Sequence, residues 1–319
     1  MLLEATDKKL ETTGRTFYVM NSTDPGYSDF LASHQPYVDG VAKVYNTIAD
    51  GYNAMVTNRN DELIIAGYGQ HDLTEMLTVS KNRCHFRGLG VQSGRHYGAR
   101  AKVSLGVTTA ATDIGTIKNT GVGNTFKDIK FINSNTVDEG IYCVVEGGEY
   151  ALYEGCEFYK ETDLDVTGAA DLVLNGDSAK FKDCTFGSLA NAISGTVIRA
   201  NVLLTKGIAG TGKVMRDCMF ENCLFWRRSS HVNNRFVYSA ADADVERQLL
   251  FKGCGFINAA NSAAVPAQAI AGAASFTVGQ IILDPTCYGV NITKMSTTTG
   301  VFVTGPAPAA GQGIAVNAA

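Results

Sequence analysis

Two groups of carboxylates lie close enough together in the sequence to suggest acid and base work on a sugar chain. Asp163 and Asp165 in ETDLDV would share one face of a strand, and Asp242, Asp244 and Glu246 follow one another in ADADVE. Glycoside hydrolysis needs two carboxylates facing one groove. A β-elimination lyase instead wants a base and cations beside acidic ligands. FWRRSSHVNNRF supplies Arg227, Arg228, His231 and Arg235 beside Trp226, the single tryptophan. That run is the strongest patch for a glycan or a partner protein. Both carboxylate groups fall between the repeated segments described below, where solvated acids are the usual occupants, and a solvated loop face is the ordinary role of such a basic run.

Other chemistries lack their residues. GIAGTGKV places Gly207, Gly212 and Lys213 in the spacing of a phosphate-cradling loop, but Val214 stands where a Mg²⁺-binding Ser or Thr is required. The segment also leads into a strand, which removes the helix dipole that favours phosphate. GVGNTF lacks the third glycine of a dinucleotide fingerprint. GxSxG and HExxH are absent, and the histidines at 34, 71, 85, 96 and 231 form no metal-ligand spacing. No catalytic residue, cofactor or metal is assigned.

The elements that would position any site come from an internal repeat. FKDCTF (181–186) recurs as FKDIKF (126–131), YEGCEF (153–158), MRDCMF (215–220) and FKGCGF (251–256). One column reads Ile129, Cys156, Cys184, Cys218, Cys254, at intervals of 27, 28, 34 and 36 residues. Two residues later stand Phe131, Phe158, Phe186, Phe220 and Phe256, and three residues earlier Phe126, Tyr153, Phe181, Met215 and Phe251. A charged column (Lys127, Glu154, Lys182, Arg216, Lys252) and a column of Asp or Gly lie between them. Repetition at a few tens of residues marks a solenoid. The two later columns alternate inward on a strand, and a bend at the Asp/Gly column restores the parity of the earlier aromatic. Strand, bend, strand is the unit of a right-handed parallel β-helix of the pectin-lyase-like kind, with cysteine stacked on cysteine and phenylalanine on phenylalanine inside. The fold class is therefore all-β. Leucine-rich repeats would need leucines and asparagines at a shorter period, helical repeats a 3.6-residue pattern, and a β-sandwich gives no reason for identities to return. FENCLF (220–225) fits the same template and overlaps MRDCMF, which leaves one register open.

Composition agrees. Charged residues are 18% of the chain, with 34 glycines and 6 prolines, as suits a β-rich core with many turns. The net charge of −4 leaves no basic footprint for direct nucleic-acid binding. Acids in MLLEATDKKLE argue against a secretory signal, and the apolar stretch 263–283 is interrupted by Pro266, Gln268, Gly272 and Gln280, so no membrane partner is expected. Eight cysteines without a CxxC pair, four of them in the repeat column, read as buried small apolar residues in a reducing compartment. Cys143, Cys223 and Cys287 are less constrained, and Cys84 belongs to an earlier rung with Phe86.

Along the chain, residues 1–39 read as an N-terminal arm, 40–260 as the β-helix with its capping helix, and 261–319 as an Ala/Gly-rich segment and tail. Val41, Val44, Ile48, Tyr52 and Met55 make one helical face from Gly40 to Thr57, with Asp39 as N-cap. A helix there would cover the open mouth of the solenoid.

With that helix in view, a family likeness can be stated. STDPGYSDF (22–30), VYNTIADGYNAMVTNRNDELIIAGYG (44–69) and LTVSKNRCHFRGLG (77–90) resemble the opening of β-helical structural proteins of tailed bacteriophages. The matching positions are Thr47 and Ile48 in the helix, the Arg59-x-Asp61 turn, the strand Leu63, Ile64, Ile65, the step Ala66–Gly67 and the ending Gly88-x-Gly90. Ala66 replaces the family's proline. The likeness covers residues 19–90 and, loosely, the tail TGPAPAAGQGIAV. It implies a virion component assembled in the host cytoplasm: a homotrimeric decoration or accessory protein on the capsid, bound to the major capsid protein or another virion protein and non-enzymatic. Two other classes stay open: a tailspike-like receptor-binding or polysaccharide-degrading protein, and a cellular β-helix lyase.

Overall fold

The computed structural model describes residues 14–34, 37–38, 40–67, 69–89, 101–106, 114–134, 141–160, 166–188, 193, 196–206, 213–260, 265–272 and 275–303. A single residue with positive φ turns the chain at one corner of each rung: Asp128 (55°), Gly155 (63°), Asp183 (52°), Asn222 (53°) and Gly253 (64°). Asp, Asn and Gly are the residue types that enter this left-handed region most readily. The bend expected at the Asp/Gly column is therefore present. Successive corners are tied to one another, since the Asp128 N–H donates to the Glu154 carbonyl, that of Gly155 to Lys182, that of Asp183 to Glu221 and that of Asn222 to Lys252 (2.8–3.0 Å). A second corner repeats the device at Arg83, Gly123, Tyr150, Ser178 and Asp217.

These corners join three sheets, all paired in parallel, in a right-handed parallel β-helix. Among the described residues they hold eleven, eight and seven strands, here sheets I, II and III. One rung runs from Tyr142–Glu146 in sheet III through Leu152–Glu154 in sheet I to Glu157–Lys160 in sheet II, and the next begins at Ala170–Leu174, again in sheet III. Connections of variable length lie at the third corner, from sheet II back to sheet III, and also between sheet III and sheet I, where 147–151 in one rung becomes 205–217 in another.

Stacking puts like on like. In sheet I the rings of Phe86, Phe126, Tyr153, Phe181, Phe220 and Phe251 lie 4.7–5.0 Å apart and within 13° of parallel. In sheet II, Phe158, Phe186, Phe225 and Phe256 stack at 4.6–4.9 Å, with Phe131 tilted at 5.6 Å. The separation is that of neighbouring strands. Between the columns the rings meet edge to face, as in Phe220 on Phe225 at 5.4 Å and 67°.

The register left open is settled by strand pairing, which sets Phe220 opposite Phe181 and Phe225 opposite Phe186. FENCLF is thus the repeat unit, and MRDCMF is not. All ten predicted stack residues are buried, but Phe220 and Cys218 belong to other columns than the spacing suggested. The cysteine column reads Cys156, Cys184, Cys223, Cys254, Cys287, below Ile129. Each thiol donates to the carbonyl of the stacked aromatic one rung earlier: Cys156 to Phe126, Cys184 to Tyr153, Cys223 to Phe181, Cys254 to Phe220 and Cys287 to Phe251, at 3.4–3.5 Å. A small apolar side chain with a weak donor suits that corner, which explains the residue type. The eight cysteines are all buried and unbridged. Correcting the register also puts Glu221 in place of Arg216 in the charged column, which becomes Lys127, Glu154, Lys182, Glu221, Lys252. The signs alternate and adjacent members pair, Lys127–Glu154 at 3.2 Å, Lys182–Glu154 at 2.9 Å and Lys252–Glu221 at 3.4 Å. Such pairs add little stability each, but a slip by one rung would set like charges face to face.

The ends differ from expectation. The helix spans Ile48–Ala54 only, and Thr47, not Asp39, caps it by accepting from the Asp50 N–H at 3.1 Å. Val41–Ala42 pairs back on Tyr37–Val38 as a hairpin turning at Gly40 (φ 74°), and Val44–Tyr45 joins sheet I beside Thr16–Val19. Strand pairing overrode the helical spacing of Val41 and Val44. The shorter helix still closes the mouth: Ile48 and Tyr52 are buried, the Tyr52 ring sits 6.0 Å from Phe86, and its hydroxyl accepts from the Ser80 and Lys81 N–H groups. The Arg59-x-Asp61 turn is a clamp. Asp61 is fully buried and accepts from Arg59 through Nε and Nη2 (both 2.6 Å) and from the N–H groups of Arg15 and Val56. Burial opposes its ionisation, but these four donors prevail and hold its carboxyl below the ordinary range. The supposed N-terminal arm is therefore partly scaffold, since Thr16–Val19 is a strand of sheet I and residues 20–34 pack beside it; residues 1–13 lie outside the described ones. Rungs also continue past the boundary placed at 260, through Ile270–Gly272, Gln280–Leu283, Tyr288–Val290 and Val301–Val303. The tail from 304 lies outside the described residues.

Phe186→Ala should lower unfolding free energy by about 3–5 kcal/mol, because the ring contacts Phe158 and Phe225 in its own stack and Phe181 and Phe220 in the other. Urea unfolding of the two proteins measures it; an unchanged midpoint would contradict the interlocked stacks.

Candidate functional site

The third corner gathers a set of buried polar groups. Asp171 lies in the strand Ala170–Leu174 and Asn201 in Ala200–Leu204, in adjacent rungs of sheet III, while Arg227 ends the sheet II strand Leu224–Arg227. All three are buried. Asp171 Oδ1 accepts from the Lys160 N–H at 3.0 Å and Oδ2 from Asn201 Nδ2 at 2.7 Å. Asn201 Oδ1 accepts from Arg227 Nε at 2.9 Å, and Arg227 Nη1 donates to Asn234 Oδ1 at 3.1 Å. Asn201 thus stands between the acid and the guanidinium. Burial raises the Asp171 carboxyl to about 6 despite the nearby Arg227, and burial, with repulsion from Arg199 and Arg235, lowers Arg227 to about 10.

Gly187 makes the approach possible: a Cβ there would stand 2.2 Å from the Trp226 carbonyl oxygen and 2.3 Å from Asn201 Nδ2. Over this network opens a cleft of about 50 Å³, lined by Lys160, Asp171, Arg199, Asn201, Trp226 and Arg227 among others. It has room for a few water molecules and is far below the ~300 Å³ of an ordinary ligand pocket.

The basic run read from the sequence is therefore not one patch. Arg227 turns inward and Trp226 lines the cleft, while Arg228 is exposed. Arg235 donates through Nη1 to the carbonyls of Val232 and Asn234, and His231 Nδ1 accepts from the Asn233 N–H, so both are held by their own loop. The carboxylate groups separate as well. Asp163 and Asp165 lie outside the described residues. Asp242 accepts from the Thr277 N–H and hydroxyl. Asp244 is buried and accepts from Ser239 Oγ and the N–H groups of Ala241 and Lys206. Glu246 pairs with Arg216 at 2.6 Å. Lys213 of the GxxxxGK spacing pairs with Glu149 at 2.9 Å; Gly207 and Gly212 lie outside the described residues.

An open groove of about 740 Å³ crosses the C-terminal rungs between Asp217, Arg247, Gln248, Val278, Gln280 and Phe302. Its two carboxylates are paired, Asp217 with Arg247 at 2.8 Å and Glu246 with Arg216. Among the described residues no three His, Cys, Asp or Glu side chains form a metal site, and no helix is long and apolar enough to cross a membrane.

A second fully buried carboxylate, besides Asp61, escaped the sequence reading. Glu146 is inaccessible to solvent at the end of Tyr142–Glu146 and accepts from Tyr153 OH (2.6 Å), Asn119 Nδ2 (2.9 Å) and the Gly148 N–H (2.7 Å). Its signal, like that of Asp171, was a single acid in an unbroken apolar strand, YCVVE and ADLVL.

The sequence matches no protein-family model, and no curated protein resembles it. Solved structures do. The chain is similar to a pectate lyase, Pel9A, at 11% identity and TM-score 0.57, covering 92% of this chain and 68% of that one. It is similar to a pectin methylesterase solved with a hexasaccharide, at 16% identity and TM-score 0.53, covering 87% and 81%. ORF18 of Geobacillus virus E2 aligns at 11% identity and TM-score 0.45, covering 80% and 56%, too loosely to bear on function. At these identities the likeness is one of fold, the pectin-lyase-like β-helix.

Burial raises the Glu146 carboxyl from 4.5 to about 7, the donors around it only partly offsetting the loss of solvent. The folded protein keeps this proton where the unfolded chain has released it, so stability falls as pH rises from about 4.5 to about 7, by about 3 kcal/mol. Glu146→Gln should remove that component: relative to the variant, the parent loses stability between pH 5 and pH 8. A difference that stays constant across that range, measured by urea unfolding, would show the carboxyl already ionised at pH 5.

Proposed function

We propose that this chain is a non-enzymatic structural component of a bacteriophage virion, a decoration or accessory protein on the capsid that assembles as a homotrimer. Its partner would be the major capsid protein or another virion protein, met after synthesis in the host cytoplasm. The observation that carries this reading is the fate of the acids. Each described carboxylate that the sequence offered for sugar cleavage is bound by a hydroxyl, a backbone N–H or an arginine of the scaffold. A hydrolase needs two carboxylates presented to one groove. The Arg59-x-Asp61 clamp and the Thr47 cap lend support, because the positions that resemble the phage proteins are the ones that close the solenoid's mouth.

A tailspike-like protein that grips or degrades polysaccharide is the second reading. It is favoured by the groove of about 740 Å³, where Phe302 is half exposed beside Gln248 and Gln280 and could stack against a sugar ring. The fold shared with a pectate lyase and a pectin methylesterase is compatible with it.

Light scattering of the full chain, and of versions lacking residues 1–13 or 304–319, tests the first reading. Residues 14–39 are retained, since their removal would take a strand out of sheet I. The expected outcome is a trimer that weakens or dissociates when a terminal segment is removed. A full-length monomer that shortens or demethylates pectin would overturn it in favour of the second.

A further inference from the structure

The groove across the C-terminal rungs runs beside two parallel rows on the outer face of sheet I. One row is apolar: strand pairing sets Met219 beside Leu250, Leu250 beside Ile282 and Ile282 beside Phe302. The other carries amides. Gln248 stands beside Gln280, both are exposed, and neither side chain is hydrogen-bonded among the described residues. The third place in that row falls to Gly300, the residue before Val301, which pairs with Ile281. No side chain stands there and none fits, because a Cβ would lie 2.6 Å from Phe276 Cβ. The groove of about 740 Å³ is thus left open beside the half-exposed Phe302 ring, and Val278, 66% exposed, lines it as well. That volume is within the ~300–1,000 Å³ of ligand sites.

The charges of the groove are matched within the protein. Arg247 pairs with Asp217 at 2.8 Å and Glu246 with Arg216 at 2.6 Å. Residues 273–274 are alanines and 304–319 contain no charged side chain, so neither segment alters that balance. An anionic ligand therefore meets no uncommitted cation among the described residues, and cleavage of a glycosidic bond finds no free carboxylate pair. What the groove offers is an aromatic ring, aliphatic side chains and two amides, each able to donate and to accept. A neutral sugar matches this set. Its C–H face packs on an aromatic ring, and its hydroxyls, donors and acceptors at once, are met by amides without a net charge.

We infer that this groove binds a segment of neutral polysaccharide and leaves it intact, with Phe302 stacking on a sugar ring and Gln248 and Gln280 bonding its hydroxyls. The inference rests on the second reading above, which puts a sugar at Phe302, and it is compatible with a virion role because it requires no catalysis.

Saturation-transfer NMR and calorimetric titration of the full-length protein test it, with hexaoses of glucose, mannose, galactose and N-acetylglucosamine as neutral probes and hexagalacturonate as the acidic one. At least one neutral hexaose should bind and keep its length on prolonged incubation, and hexagalacturonate should not bind. Phe302→Ala should weaken binding about tenfold and Gln280→Ala about fivefold. Val56→Ala, at a side chain 46% exposed at the opposite end of the solenoid, should change nothing. If Phe302→Ala does not fold, Gln280→Ala decides. A neutral hexaose that binds both groove variants undiminished, or binding of hexagalacturonate alone, would overturn the groove assignment while leaving the protein a polysaccharide binder. Shortening of a bound neutral hexaose would overturn the claim that the ligand is left intact. No binding of any probe would remove this inference together with the second reading; an oligomer that Phe302→Ala then dissociates would make the groove a subunit contact instead.

Discussion

The left-handed corner on which each rung turns governs the rest of the molecule. A single residue at positive φ reverses side-chain parity between sheet I and sheet II, and the N–H of each corner from Asp128 to Asn222 bonds to the rung beyond it. Register is thereby fixed at the point where the chain changes direction, and every other column inherits it. The two ring stacks, the cysteine column and the alternating Lys/Glu column are consequences of one geometric repeat. Strand spacing sets the ring separation, so aromatic side chains stack without backbone adjustment.

Against that apolar interior, two buried polar networks stand out at two different corners. Glu146, Asn119 and Tyr153 form one where sheet III meets sheet I, and Asp171, Asn201, Arg227 and Asn234 form the other where sheet II meets sheet III. Both consist of groups whose burial is unfavourable and whose hydrogen bonds recover part of the loss. The first is closed on itself: the carboxylate is met by a hydroxyl, an amide and a backbone N–H. The second opens to the third-corner cleft, and in it an acid and a guanidinium are joined through the amide of Asn201. The acids on the outer surface behave differently again. They alternate with lysines or bind arginines, an arrangement suited to holding a surface together and not to attacking a substrate.

The architecture was legible because repetition is a stronger signal than propensity. Columns of Phe and Cys recur only if the same environment recurs, and the Asp/Gly column marked a bend. The misreadings have physical reasons. MRDCMF and FENCLF both satisfy the template, and only strand pairing opposite Phe181 and Phe186 separates them. Val41 and Val44 have helical spacing, yet they are β-branched and lie where a hairpin and a sheet edge were available. The rungs after Asn258 were missed because Leu283 stands opposite Phe251 and Gly289 opposite Phe256, so the columns continue without repeating their letters. At the cleft, Trp226 and Arg227 were named from the sequence, but their partners Asp171 and Asn201 were not. Those come from separate rungs, and only the winding of the solenoid brings them together.

A parallel β-helix has its backbone hydrogen bonds directed along its length, from one rung to the next. Mechanical load therefore acts on this molecule unequally. Tension along the axis opens the ladders one rung at a time, each rung resisting alone, whereas a sideways force is shared by every rung at once. Compression along the axis is met by stacked rings in van der Waals contact over six consecutive rungs of sheet I. The chain is built as a strut, stiff under axial compression and bending and weakest when pulled apart from its ends.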